Sequence, residues 1–146
     1  MPTLLSTSTL TQSLNLHDLT DPRQGSHAMQ ELITNIHNAL AQRWQCNRQI
    51  SRNSPLVTLE NNYDRLGYPS DGAARDARYT RYVTDKMILR TQTSSAIPDL
   101  LQSLCTDPPA NLLFVLPGLV YRRDSIDRLH CVEPHQLDLW RIVDSR

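Results

Sequence analysis

From Leu119 to Val143 the chain carries two alternating stretches that only β-strands can place consistently. In residues 119–124, Val120, Arg122 and Asp124 fall on one face, and Leu119, Tyr121 and Arg123 on the other. In residues 135–143, Gln136, Asp138, Trp140 and Ile142 share a face, while Leu137, Leu139 and Val143 take the opposite one. Strand side chains alternate sides, so both polar sets can turn into one cleft between two strands joined by a charged loop. An arginine, two carboxylates and a primary amide make a poor core. They suit an anionic or zwitterionic ligand.

The rest of the chain supplies partners for such a sheet. Met29, Leu32, Ile33, Ile36, Leu40 and Trp44 recur at spacings of three and four, which predicts an amphipathic helix over residues 26–43 with Ser26 as its cap. Residues 49–51 and 56–60 read as short strands around Asn53 and Pro55. Residues 61–76 are loop-like, and 79–83 and 87–90 are expected to pair as a hairpin. Ser94 or Ser95 caps a short helix with Pro98 in its first turn, and Asp107-Pro108-Pro109 stops it. Residues 112–116 and 119–124 read as separate strands, broken at Pro117-Gly118. The fold class expected is α+β, a largely antiparallel sheet flanked by helices. Residues 1–22 are expected to be a variable or flexible lead-in and residues 23–146 one domain.

Composition excludes more than it assigns. A formal net charge of zero offers no global field to steer nucleic acid. Basic character is nearly all arginine, with Lys86 the single lysine, and arginine suits forked contacts to phosphate or carboxylate. Cys46, Cys105 and Cys131 are odd in number and lack C-x-x-C spacing, so neither a disulfide framework nor a zinc ribbon is indicated. The run His130-Cys131-Val-Glu133-Pro-His135 also lacks zinc spacing, and no metal site is expected. The apolar run 112–116 is too short to span a bilayer, and no arginine precedes Arg23, which argues against a signal peptide or presequence. A cytoplasmic location without membrane contact is the expectation. His17 and His37 read as surface or helix-edge residues, and Trp44, Tyr79 and Tyr82 as packing aromatics rather than platforms for RNA.

Residues 120–138, V-Y-R-R-D-x-I-D-x-x-H-x-x-x-x-H-Q-L-D, closely resemble motif 2 of the class II aminoacyl-tRNA synthetases, in the form carried by phenylalanine–tRNA ligase. Two more blocks match in order: N-N-Y-D-R-L-G-Y-P-S-D-G-A-A-R-D at 61–76, and M-I-L-R-T-Q-T-S at 87–94, similar to the family's L-L-R-T-H-T-S. The helix at 26–43 falls where the family carries its motif 1 helix, with Ala28 in place of the usual proline. The resemblance covers roughly residues 55–142.

This resemblance implies amino-acid activation at the expense of ATP and Mg2+, then transfer of the amino acid to tRNA, with phenylalanine the first candidate. Arg122 would be the catalytic residue, clamping the α-phosphate and the substrate carboxylate. Asp124 and His130 would join it in holding ATP. Gln92, Ser94, Gln136 and Asp138 would hold the amino acid, with Ser94 and Gln92 sharing one face of a strand opposite Thr91 and Thr93. Gln92 stands where the family has histidine. Asp138 stands where it usually has glutamate, one methylene or roughly 1.5 Å shorter in reach. The family's motif 3, with its γ-phosphate arginine, is absent from the 146 residues, so the chain is expected to be the N-terminal half of a catalytic domain, truncated or completed by another chain, with a second chain or a homodimer as the candidate assembly. Two alternatives stay open: an inactive relative acting as a binding or regulatory module, and a ligase charging another amino acid onto a non-tRNA acceptor.

Overall fold

A computed structural model describes residues 3–76, 78–122, 128, 131 and 133–144. Asp124 and His130 lie outside the described residues. In chain order the elements are α1 (Thr7–Leu14), α2 (Ala28–Trp44), β1 (Asn47–Ile50), β2 (Leu56–Thr58), α3 (Leu59–Asn62), β3 (Met87–Leu89), α4 (Ile97–Ser103), β4 (Asn111–Leu119) and β5 (His135–Val143), with 3-10 turns between several of them.

The most apolar stretch of the sequence becomes the central strand. β4 pairs antiparallel with β5 along its whole length and parallel with β1 along its first half, giving the order β1-β4-β5. Its alternate side chains feed two cores. Leu113 and Val115, with Leu137 and Leu139 of β5, pack against Ile33, Met29 and Leu40 of α2. Leu112, Phe114 and Leu116, with Trp140 and Ile142, pack against Ala96, Ile97, Leu100 and Leu101 on the opposite side. A strand buried on both faces reads as an unbroken apolar run, which is how residues 112–116 read. The β5 alternation holds as the spacing required, with Gln136 opposite Gly118 and Asp138 opposite Leu116.

Pro117 and Gly118 do not break the strand. Val115 offers its carbonyl to Ser51 N, on the β1 side, and Val120 donates its N–H to Pro134 O, on the β5 side. Pro117 shares the parity of Val115, so its nitrogen faces away from β5, beyond the last β1 pairing at Ile50. Proline is tolerated there because no ladder bond needs its missing N–H. The strand then stops at Leu119, and residues 120–122 do not continue it; the rest of the expected strand lies outside the described residues.

Other boundaries also differ. α2 is capped by His27, whose Nδ1 accepts from Met29 N at 3.2 Å, and not by Ser26, because the helix begins one residue after His27. His37, on the same helix, is buried rather than at the surface. Burial, and then Arg48, holds its imidazole below the usual range. Residues 56–60 divide into β2 and the start of α3, where Thr58 caps the turn through Asn61 N at 3.1 Å. β3 pairs chiefly with β2, in the register Leu56↔Leu89. The expected hairpin with residues 79–83 survives as a short antiparallel bridge, Tyr82 to Ile88, flanked by bonds from Val83 N to Met87 O and from Leu89 N to Arg81 O.

Ahead of α2, Asp21 caps the turn Pro22–Gln24 and forms an ion pair with Arg23 at 2.6 Å. The Asp21 side chain is buried while Arg23 is exposed. The side-chain hydrogen bonds from Arg23, working against burial, hold the Asp21 carboxyl at about 2. A carboxylate whose folded value lies below its unfolded one stabilises the fold above the unfolded value and loses that contribution as pH falls through the folded one. Acid titration of unfolding free energy should therefore show a loss of about 1 kcal/mol between roughly pH 4 and pH 2, discounted for the exposed partner. Asp21→Asn should flatten that segment.

A second expectation concerns Gly118. A Cβ built there would sit 2.1 Å from Arg90 Nη2, inside a buried guanidinium site. Gly118→Ala should destabilise the fold by about 1–3 kcal/mol, read from urea unfolding, because the guanidinium cannot yield without losing its bonds. An unchanged midpoint would mean that Arg90 repacks freely.

Candidate functional site

The site grows from the segment that follows β3. Gln92 is extended, with φ −158° and ψ 149°, and Thr93–Ala96 then form one 3-10 turn leading into α4. The segment is not a strand, so the expected face-sharing of Gln92 and Ser94 does not occur. Instead, Asn62 holds residues 91 and 92, while residues 93 and 94 are held by β5.

Thr91 is fixed from behind by Asn62, a residue with no exposed surface. Asn62 Oδ1 accepts from Thr91 N at 3.2 Å, and its Nδ2 donates to Thr91 Oγ1 at 2.8 Å. The Thr91 carbonyl, facing the other way, accepts from Arg122 Nε at 3.2 Å. The Gln92 amide is held at both ends: Nε2 donates to Asn62 O at 2.9 Å, and Oε1 accepts from the Tyr68 hydroxyl at 3.1 Å. Thr93 N donates to Gln136 Oε1 at 2.8 Å. Ser94 Oγ donates to Asp138 Oδ2, which also accepts from Trp140 Nε1 at 2.9 Å. Asp138 Oδ1 accepts from Leu139 N at 3.0 Å.

The structure therefore brings all the described candidates to one segment, but divides them. Arg122 and Gln92 line a cavity of about 200 Å³ together with Thr91, Tyr63, Tyr68 and Tyr79. Gln136, Asp138 and Ser94 form a hydrogen-bonded cluster on the β5 side, reached through Thr93, and do not line that cavity. The Gln136 amide oxygen is taken by Thr93 N, so its NH2 group is the end left for other partners.

The aromatic wall was missed by sequence reasoning. Tyr63 is fully buried, its hydroxyl donating to Ala74 O at 2.8 Å, and Tyr68 meets it edge-on with ring centroids 5.5 Å apart. Both lie in the block 61–76, which was matched as a unit but given no roles. Tyr79, expected to pack, stands half open at the cavity. The signal available was the run of tyrosines at 63, 68 and 79 beside arginines at 75 and 78. Arg75 lies over the Tyr63 ring at 5.3 Å.

Among the described residues, no group of three or more His, Cys, Asp or Glu side chains is placed to hold a metal ion.

Comparison with known proteins gives a consistent kinship. The family described as tRNA synthetases class II core domain (F) matches residues 14–145. The phenylalanine–tRNA ligase alpha subunit of Gloeobacter violaceus is 41% identical over 84 residues, 58% of this chain and 24% of that protein. The alpha subunit of Lactiplantibacillus plantarum is 44% identical over 78 residues, 53% of this chain and 22% of that protein. The mitochondrial phenylalanine–tRNA ligase of Saccharomyces cerevisiae is 35% identical over 92 residues, 60% of this chain and 19% of that protein. These matches span about a quarter or less of those relatives' length. Among solved structures, the pyrrolysyl-tRNA synthetase of Desulfitobacterium hafniense superposes with a TM-score of 0.58 at 19% identity, over 90% of this chain and 43% of that one. That likeness speaks to the fold.

The buried amide of Asn62 carries the next expectation. Asn62→Ala removes the partners of Thr91 N and Oγ1 and leaves buried polar groups unsatisfied, which should cost about 2–3 kcal/mol in urea unfolding. Amide exchange at Thr91 and Gln92 should accelerate in the same variant. Unchanged exchange would show that Asn62 does not hold this segment.

Proposed function

The chain belongs to the tRNA synthetases class II core domain family, and on that premise we propose that it binds ATP and an amino acid and joins them as an aminoacyl-adenylate, as the catalytic part of a phenylalanine–tRNA ligase-like enzyme. The observation that carries this reading is the placing of Arg122: its Nε is spent on the Thr91 carbonyl while its side chain lines a cavity with Gln92 and aromatic walls. A guanidinium tethered at one nitrogen presents its fork in a fixed direction, which suits a phosphate or a carboxylate.

In the reaction proposed, a carboxylate oxygen of the amino acid attacks the α-phosphorus of ATP. The bond to the bridging oxygen of pyrophosphate breaks, and pyrophosphate leaves with the electron pair. No proton moves, so no protein base is required. The protein contributes orientation and neutralisation of the charge that builds on the phosphate oxygens, which is the part assigned to Arg122. Gln136, Asp138, Gln92 and Ser94 would orient the amino acid. In this reading Asp124 and His130 join Arg122 at the nucleotide, and any Mg2+ travels with the nucleotide phosphates. The adenylate would then pass its amino acid to tRNA, and the relatives' description as alpha subunits favours a second chain as partner. Residues 23–146 supply the core in this reading, and it acts in the cytoplasm. Among the described residues, no helix is long and apolar enough to cross a membrane.

Calorimetric titration with a non-hydrolysable phenylalanyl-adenylate analogue tests the reading. Binding is expected, and Arg122→Ala should weaken it about ten- to a hundredfold, the ~1.5–3 kcal/mol worth of a hydrogen bond to a charged group. Failure of the analogue to bind, or equal binding to Arg122→Ala, rejects the proposal. Repeating the titration with other aminoacyl-adenylate analogues reads out the amino acid preferred with Gln92 and Asp138 in place.

A further inference from the structure

A second cavity, of about 200 Å³, shares no lining residue with the one beside Arg122. It lies between the stretch that carries Asp18 and Asp21 and the end of β4, and Arg52, Arg90 and Tyr121 reach it from three separate parts of the chain. Two of these side chains are buried with hydrogen-bonding capacity unspent. Arg90 is 6% exposed; its Nε and Nη1 are taken by the carbonyls of Leu119 and Asn53, and its Nη2 has no hydrogen-bond partner among the described residues. Tyr121 is 3% exposed, with its ring packed beside Leu89 and Leu119, and its hydroxyl likewise has no partner among the described residues. Burial pushes that hydroxyl above the usual phenol range, so it stays protonated and able to donate.

The carboxylates facing the same space are already committed. Asp18 Oδ1 accepts from Thr20 N at 2.9 Å and from Thr20 Oγ1 at 2.6 Å, and its Oδ2 from Leu119 N at 3.3 Å. Both oxygens of Asp21 are bonded by Arg23. Arg52 is held by Thr20, through Nη1 to Oγ1 at 2.9 Å and through Nη2 to the carbonyl, and has no ion-pair partner among the described residues. Its charge works to lower the Arg90 pKa, as a like charge held nearby does. The lining therefore sets three arginines against two aspartates, one positive charge in excess. Water can meet the idle donors, but not the excess charge. An anion with several acceptor oxygens meets both. About 200 Å³ falls below the range of pockets for drug-sized ligands, and so selects an ion of a few atoms.

We propose that this cavity binds a small oxyanion, a carboxylate or a phosphate, held by Arg90, Arg52 and the Tyr121 hydroxyl. The site stands apart from Arg122 and does not depend on how that other cavity is used. Its occupation fastens Arg90, whose backbone leads directly into residues 91–94, so the anion steadies the segment from which the candidate site is built.

Calorimetric titration of the full chain with inorganic phosphate and, separately, with sodium acetate, against a constant sodium chloride background, tests it. Saturable binding of at least one is expected, and the tighter of the two names the class of anion the site takes. In urea unfolding the same anion should stabilise the fold with the logarithm of its concentration, as mass action on a folded-state site requires. A strictly linear rise is salt exclusion from the surface, and rejects the site. Tyr121→Phe keeps the ring and removes the donor. It and Arg52→Gln should each weaken binding about tenfold or more, the worth of one hydrogen bond to a charged group, with each variant read against its own anion-free baseline. Arg122→Ala should bind the anion as the parent does. Parent-like affinity in Tyr121→Phe or in Arg52→Gln overturns the proposal. So does loss of phosphate binding in Arg122→Ala with retention in Tyr121→Phe, which puts the anion in the other cavity. If neither salt binds, the cavity holds water alone and the proposal falls.

Discussion

The structure hinges on a buried guanidinium that joins its two sheets. Arg90 follows β3 of the two-stranded sheet, and its backbone N–H donates to Pro55 O while its carbonyl accepts from Tyr121 N. Its side chain then reaches the other sheet, Nε donating to Leu119 O at 2.9 Å and Nη1 to Asn53 O at 3.0 Å. Among the described residues it has no ion-pair partner. Burial lowers its pKa, with the Asp18 carboxylate working in the opposite direction. Taking a charge out of water is costly, and charge-assisted bonds to backbone carbonyls are the compensation visible here. The cost is tolerable only where the geometry is fixed, which is why a glycine stands at 118, where any side chain would meet the guanidinium.

Arg90 matters to the site because its neighbours in sequence are the site. Once its backbone and side chain are fastened, Thr91 to Ser94 have little freedom about where they emerge between β5 and the loop after α3. Asn62 fixes the back of Thr91, and the front of the same residue orients Arg122. The candidate catalytic side chain is therefore positioned by a residue that Asn62 holds through two bonds of its own. Such preorganisation lets a guanidinium meet developing charge without first rearranging.

Much of this could be read from the letters, for reasons that differ by element. The β5 alternation was legible because each face has a different destiny, Leu137 and Leu139 in the α2 core and Gln136 and Asp138 toward the 91–94 segment. The α2 helix was legible from its period, but its cap was not, since serine and histidine both have an acceptor and only the first helical residue decides between them. Pro117 misled because the disruptive power of proline depends on which way its nitrogen faces, a matter of sheet parity that no local pattern encodes. Residues 91–94 misled for a related reason: four residues alternate in any extended chain, whereas here a 3-10 turn begins at Thr93. The tyrosines at 63, 68 and 79 carried no period at all, and only tertiary folding brings them to one cavity.

The cluster on β5 shows how the departures from the family pattern can be absorbed. A shorter carboxylate at 138 withdraws from a ligand, but it also reaches donors close to its own strand. Asp138 is bonded by Ser94 Oγ, by the Trp140 indole and by the N–H of Leu139. Those bonds tie the 3-10 turn to β5 and fix the carboxylate where it stands. Gln136 is likewise committed to Thr93 through its oxygen, leaving donors rather than an acceptor at its free end. The pair therefore presents amide N–H groups from Gln136 and the unused lone pairs of Asp138. What Gln136 and Asp138 still offer follows from which atoms Thr93 and Ser94 have already taken.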